Sequence, residues 1–493
     1  MVDSHARKPG SLSASATLMT MCNIAKIAVQ IGVTPILAHI IGPRDFGLYS
    51  LALPSIIFVM MLADGGLGQT LAREPEDQAT TWSSAFWLLL GLGILMAAAV
   101  SLWSFPLSWI AHEQHLPPIM MTLSLCIVLM TLSVTPSARL TRRGRIQDAA
   151  VIDLAANVLG SGIAIGFALL GAGVWSLAAQ FISLYLIRAI GVNTLAFRNP
   201  SLAFSWKAIA PHTMLGGSIV ITKFAESIGR MLEPTFINRR FGAPSLGAYS
   251  LASQAAWSIV QSVNNPAGTA LFVRSLGEND NAALEKLHLQ MIRVISLTTL
   301  PATAIIAGAA PRLISDLLGE KWAATAFVIA CIFPSQAIGT LGQLYSSVLY
   351  ARGRTLTQTW ITIAYSALRL AAVAIPFGDW GTVPISVAGA NLAYFIIGVA
   401  NAKFSLSWST GHILRSLWGP LIASAIGAAA AVSLSRTITV SGLEGLTLVL
   451  LGAGLSFCIA LVIVDFGNVR RDFQMAKLFL QARWPAKRDR AAG

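Results

Sequence analysis

Long apolar runs, each broken by a short cluster of Gly, Pro or charged residues, follow one another along almost the whole chain. A hydrocarbon core of about 30 Å takes about 20 helical residues to cross, and every backbone polar group inside it must be bonded within the protein. The runs therefore predict transmembrane helices near 15–41, 46–68, 81–109, 116–138, 147–170, 173–197 and 208–238. Seven more follow near 245–272, 288–311, 321–350, 356–377, 382–406, 411–435 and 443–466, fourteen in all. Strands of a membrane barrel would instead show segments of roughly ten alternating residues. The expected fold class is an all-α integral membrane protein. The opening stretch MVDSHARKPGSLSAS is polar and basic, but the run behind it contains Lys26 and Gln30 and is too long for a cleaved signal, so it reads as a retained helix.

The pattern repeats itself. GPRDFGLYSLA at 42–52 returns as GAPSLGAYSLA at 242–252, and RRGRIQDAAVIDL at 142–154 is echoed by ARGRTLTQTWITI at 351–363. The offset grows from 200 to 209 residues, as one longer loop in the second copy would require. In both copies the first phrase starts at the end of an odd-numbered helix, helix 1 and helix 7, so the repeating unit is six helices and both copies enter the membrane from the same side. Two parallel halves with a substrate site between them are a common transporter plan. The paired glycines predict tight outer turns and the tyrosines interfacial anchors, which makes the phrase scaffold rather than chemistry. The expected organisation is a tail at 1–14, a first lobe at 15–207, a second lobe at 208–406, a further helix pair at 407–466 and a basic tail at 467–493.

Composition agrees with the pattern. Of 493 residues 55% are hydrophobic and 11% charged, against about 25% charged in a soluble protein. The net charge of +13 would point to nucleic acid in a soluble chain; here it does not, because the bases sit in short loops and the C-terminal tail. With both termini cytoplasmic, 23 of the 34 basic residues fall on the inner side and 6 on the outer, the bias that sets orientation. The four cysteines (Cys22, Cys126, Cys331, Cys458) are far apart in apolar segments and carry neither metal-ligand spacing nor a disulfide framework. GAGVWS at 171–176 lacks the third glycine and the strand–helix setting of a nucleotide fingerprint. No cofactor, metal or catalytic set is expected, and the chain does not read as an enzyme.

Several stretches together resemble a known family. They are IIGPRDFGLYSLALPSIIFVMMLADGGLGQTL, SSAFWLLLGLGILMA (83–97), LLGAGVWSLAAQ (169–180), FINRRFGAPSLGAYSLA (236–252), LISDLLGEKWAATA (313–326) and LYARGRTL (349–356). In this order they are similar to the polysaccharide transporter branch of the multidrug/oligosaccharidyl-lipid/polysaccharide flippase superfamily, the Wzx-type exporters, over roughly 15–405. The resemblance implies movement of undecaprenyl-pyrophosphate-linked oligosaccharide units across the bacterial inner membrane for exopolysaccharide, capsule or O-antigen. It also implies membrane lipids and a polysaccharide polymerase with its chain-length regulator as partners. The last two helices form either a groove for the lipid tail or lipid-facing packing.

Charges inside the spans carry the candidate chemistry, because an ionisable group at mid-membrane costs about 2.5–3.5 kcal/mol on insertion scales. Lys223, Glu226, Arg230 and Glu233 fall within an arc of about 80° on one helix face. They form either a self-neutralising salt-bridge ladder or the polar wall of a cavity, and Arg230 and Glu233 match the R-x-x-[DE] stretch usual in the resembled family. Lys26 and Gln30 share a face of the first helix, and the repeat sets them opposite Glu226 and Arg230. Arg369 lies too deep to reach a surface and is expected to serve an anion or a buried carboxylate. The cations Lys26, Lys223, Arg230 and Arg369 are the candidate pyrophosphate partners, with Arg230 first and Gln30 beside Lys26 in the substrate site; Gln254, Trp257, Gln261, Asn264 and Asn265 are candidates for the sugars, Asn264 and Asn265 also reading as a helix break before Pro266. Glu226, Glu233, Asp153 and Asp64 are the candidate counter-charges or coupling sites, Asp64 also reading as a helix cap or hinge. Arg293 is expected to snorkel to the inner surface. Two rivals remain open: a multidrug extruder of the same superfamily, which should favour acidic residues, and a membrane polymerase or ligase, which should show a long outer loop.

Overall fold

The structure, a computed structural model, describes residues 9–64, 67–72, 74, 78–278, 280–375 and 378–482, and of 9–17, 20, 69, 211–228, 230 and 469–482 the backbone alone. Among the described residues the chain is built of helices and turns. They are α1 (Pro9–Ile40), α2 (Pro43–Asp64), the short α3 (Leu67–Leu71), α4 (Ala79–Ala111), α5 (Leu116–Arg142), α6 (Ile146–Leu169) and α7 (Val174–Ala196). There follow α8 (Trp206–Gly277), α9 (Asn281–Leu317), α10 (Ala323–Ala351), α11 (Thr355–Ala374), α12 (Thr382–Leu406), α13 (Thr410–Thr437) and α14 (Gly442–Ala482). Eleven stretches are long and apolar enough to cross a bilayer. The other three of the fourteen expected spans are α11 and the two arms of α8. That helix bends at Gly242 (φ 80°, ψ 168°), a backbone conformation that favours glycine. Large apolar side chains such as Leu102, Trp109, Leu170, Phe404 and Leu451 are exposed on the helix surfaces, where hydrocarbon rather than water would meet them. The chain is a multi-pass membrane protein.

The helices group into two units. The first comprises the described residues up to 251 with 318–324 and 362–383. In it α5 lies against α2, α4, α6 and α7, and α1 packs on α6. Leu67, Leu71, Trp82, Val134, Ala138 and Ile209 close one part of its core.

The repeated phrase meets its own copy inside this unit. A Cβ on Gly47 would overlap the carbonyl oxygen of Ala243, and a Cβ on Gly247 would overlap that of Pro43. Each would also come within 3.0 Å of the other glycine's amide nitrogen. The contact is reciprocal at the repeat offset: Pro43 and Ala243, like Gly47 and Gly247, are equivalent positions. The two glycines of each phrase thus divide the work differently from the expected tight turn. Gly242 makes the bend, Gly42 is not among the glycines with positive φ, and Gly47 and Gly247 let two helices touch backbone to backbone.

Neighbouring loops lock the same end. Trp322 donates its indole N–H to the Ala38 carbonyl at 2.8 Å and stacks edge-on against Phe46, with centroids 5.8 Å apart. Asn238, the repeat equivalent of Ala38, donates to the Ala111 carbonyl at 2.9 Å.

The second unit holds 252–317, 325–361 and the described residues from 384. In it α9, α13 and α14 pack on one another through small residues, Gly308 lying on the Ala428 carbonyl and Gly427 beside Phe457 and Ile305. The last two helices are thereby fastened to α9. An ion pair adds to this: Arg293 of α9 and Asp465 of α14 meet at 2.8 Å with side chains 10% and 12% exposed. Gly419 makes room for the carboxylate, which a Cβ there would strike. Arg293 therefore does not snorkel; a buried partner on a helix 172 positions further along holds it, and no local spacing could announce that.

Candidate functional site

The two arms of α8 fold back on each other at Gly242. Glu233 and Tyr249 are 16 residues apart, which in one straight helix would place them about 24 Å apart; instead the Tyr249 hydroxyl donates to the Glu233 carboxylate. On α11, Tyr365 and Arg369 are four residues apart and so share a helix face. Gly229 brings α8 and α11 together, since a Cβ there would come to 3.3 Å from Ser366 Cβ. This approach delivers Arg369 to the carboxylate.

Arg369 grips Glu233 with two prongs, Nε to Oε2 at 2.8 Å and Nη2 to Oε1 at 3.2 Å. Nη2 also donates to the Tyr249 hydroxyl and Nη1 to the Tyr365 hydroxyl, each at 3.2 Å. The Glu233 side chain is 6% exposed and that of Arg369 19%. A carboxylate so buried is tolerable only with its cation in place, and a guanidinium matches it because its planar fork satisfies both oxygens at once. Five N–H groups leave the guanidinium, and among the described residues one on Nη1 has no acceptor. The cluster is a neutral set with its cation at the more open edge, an arrangement in which a stronger anion can compete with Glu233.

The other candidates are placed as follows. Lys26 is half-buried and Gln30 exposed on α1. Asp153 of α6 pairs with Arg188 of α7 at 3.3 Å, both side chains about a third exposed or less. Asp64 ends α2, and its carboxylate lies 3.4 Å from where a Cβ on Gly68 would be. Gln254 and Trp257 are exposed on the second arm of α8, within the second unit. Lys223, Glu226 and Arg230 have side chains outside the described residues. The structure thus joins Arg369 and Glu233, and adds two residues that the sequence reading did not single out as chemistry, Tyr249 and Tyr365. Tyr365 stands one turn from a deep arginine, a signal that was available. Tyr249 stood inside the phrase read as scaffold.

A separate polar set lies in the second unit. Gln343 of α10 accepts from Gln261 at 3.1 Å and from Asn264 at 3.3 Å. Gln261 and Asn264 are one turn apart, and the Asn264 side-chain amide donates to Gln261 Oε1 at 3.3 Å.

A family model described as "Polysaccharide biosynthesis protein" matches residues 36–327. The chain is 26% identical over 342 residues to the succinoglycan biosynthesis transport protein ExoT of Rhizobium meliloti, covering 69% of each chain. It is 23% identical over 407 residues to the lipopolysaccharide biosynthesis protein WzxC of Escherichia coli, covering 79% of this chain and 80% of that one. Among solved structures, the lipid II flippase MurJ in an inward closed conformation superposes with a TM-score of 0.71 at 13% identity, over 92% of this chain and all of that one. An inward-facing MATE-family multidrug resistance transporter gives 0.60 at 16% identity, over 79% of this chain and 94% of that one. At these identities the structural likeness concerns the fold.

Proposed function

Because the chain belongs to the polysaccharide biosynthesis protein family, we propose that it is a flippase for undecaprenyl-pyrophosphate-linked oligosaccharide repeat units. It moves them across the bacterial inner membrane for synthesis of an exopolysaccharide, capsule or O-antigen. The observation that carries this reading is the two-pronged Arg369–Glu233 pair. A pyrophosphate offers oxygen pairs that a guanidinium fork can meet as it meets a carboxylate, and it carries more charge, so it can take the guanidinium from Glu233 through charge-assisted hydrogen bonds. Lys26, Lys223 and Arg230 are the further cations of the site in this reading, and Gln30, Gln254 and Trp257 meet the sugars. A drug cation would need an unneutralised carboxylate, and Glu233 is already neutralised, which favours an anionic cargo over the multidrug reading.

Transport proceeds by alternating exposure, the two six-helix halves rocking about the site. Both termini are cytoplasmic on the charge bias, which makes the 42–47 and 242–247 end the outer one. The backbone crossing of Gly47 and Gly247 supports a form closed at that end.

Arg369→Lys tests the reading, because it keeps the charge and loses the fork. In cells depending on this protein for polymer, export should fall roughly tenfold, the cost of about 1.4 kcal/mol of lost recognition. Lipid-linked units should build up on the inner face at unchanged protein level. Full export by Arg369→Lys would remove Arg369 from the substrate path.

A further inference from the structure

The phrase that repeats along the chain touches both notable features of the first unit. Gly247 forms the backbone crossing with Pro43 and Gly47, and Tyr249, two residues later, bonds to Glu233 and Arg369. These two residues rise only about 3 Å along one helix, so the second arm of α8 cannot move at one without moving at the other. The crossing is also intolerant: a carbonyl stands where a Cβ would be on either side, and Ala243 is 1% exposed. Packed interfaces of this kind do not deform gradually; they hold or they part.

We infer that Tyr249 is the positioning residue through which occupation of Arg369 by an anionic lipid head group loosens the outer crossing of α2 and α8. The inference rests on the reading of Arg369 as the pyrophosphate partner. Tyr249 donates to Glu233 and accepts from Arg369 Nη2. When the guanidinium turns to the pyrophosphate, the second of these bonds is lost and the first follows Glu233 as the pair separates. The arm of α8 is then released where it lies against Pro43. Among the described residues the copy in the first half has no such tie. By the 200- and 209-residue offsets of the repeat, Tyr49 matches Tyr249, but Val33 and Gly160 stand where the second half has Glu233 and Arg369. The sensor is therefore one-sided, and one head group is enough to trip it.

The test uses the full chain in lipid nanodiscs, with Ala243→Cys probed by a charged, membrane-impermeant maleimide and the parent protein as the blank for Cys22, Cys126, Cys331 and Cys458. The probe ligand is farnesyl pyrophosphate. It should raise the labelling rate of position 243 at least fivefold, the lower end of ordinary coupling between two sites. With Tyr249→Phe added, farnesyl pyrophosphate should still bind, because Arg369 is intact, yet the rate should change less than twofold. Glu233→Leu with Arg369→Leu, which removes both groups from Tyr249 and leaves no buried charge stranded, should label at the ligand-bound rate with no ligand present. A full ligand response in Tyr249→Phe, or a ligand-free parent rate in the double variant, overturns the inference. Failure of farnesyl pyrophosphate to bind the parent would instead remove the pyrophosphate reading beneath it, and the inference with it.

Discussion

Arg369→Gln leaves Glu233 as a carboxylate 6% exposed, with the Tyr249 hydroxyl as its remaining described donor. Breaking a buried ion pair from one side typically costs about 3–5 kcal/mol, because the remaining charge has lost its compensation. At 1.4 kcal/mol per factor of ten this is a fall of roughly one hundred to a few thousand fold in the folded ratio. Glu233→Gln should cost less, since the Arg369 side chain it strands is 19% exposed and keeps both tyrosine hydroxyls. Glu233→Gln with Arg369→Gln replaces the ion pair by two amides that can bond each other, and neutral replacement of a buried pair is often harmless to stability. The double variant should therefore be more stable than Arg369→Gln alone, with a coupling of about 2 kcal/mol or more between the two positions. Thermal unfolding in one detergent, followed by tryptophan fluorescence, reads this order directly. Export measured in the same strains separates fold from function: the double variant should reach the membrane and export nothing. The reasoning fails if Arg369→Gln unfolds at the parent temperature, or if the two single costs simply add.

Three further outcomes are expected. Gly47→Val or Gly247→Val should abolish export and lower the unfolding temperature, since their side chains meet the Ala243 and Pro43 carbonyls, whereas Gly42→Ala meets nothing within 4 Å and should be silent in both assays. Arg293→Leu and Asp465→Leu should each destabilise by about 3–5 kcal/mol, and the double variant by less than either, which the same melting experiment measures. Reporter fusions after Arg143 and Arg352 should behave as cytoplasmic and those near Pro43 and Ala243 as periplasmic; an exported reporter at either Arg-Gly-Arg turn would overturn the orientation and the helix count together.

Much of the fold was legible because hydrocarbon leaves the chain few choices. Twenty apolar residues with no external hydrogen-bond partner must be helix, so Leu116–Arg142 and Thr382–Leu406 declare themselves by composition. Arg369 and Glu233 were legible for the converse reason, as charges too deep to be idle. Their pairing was not. Glu233 stands three residues from Arg230, a spacing that helical geometry makes visible, while Arg369 lies 136 positions away. Tertiary approach, allowed here by Gly229, has no signature in local spacing. Arg293 shows the same blindness in reverse, its partner Asp465 being a chain end away from every pattern that includes Arg293. Tyrosines escaped because a phenol in an apolar run disturbs hydropathy little, although it can donate and accept inside a helix bundle.

The repeat shows how duplication and chemistry are divided in this chain. Two equivalent glycines can form a symmetric crossing only if both copies keep them, and both do: neither Gly47 nor Gly247 can take a side chain without striking the other copy's backbone. That requirement falls on the pair and fixes the phrase twice. No such requirement falls on the charges. At the place of Arg369 the first half has Gly160, packed on the Gln180 carbonyl and the Leu184 amide with no room for a long side chain. At the place of Glu233 it has Val33. A second anion site built by symmetry would bury a second ion pair in the membrane protein, whereas the proposed cargo carries a single pyrophosphate. In the proposed reading the symmetric crossing belongs to the movement of both halves, and the charges that the second half alone carries belong to recognition. Tyr249 is where the two meet: it was duplicated with the crossing, and only in the second half does it have charges to bond.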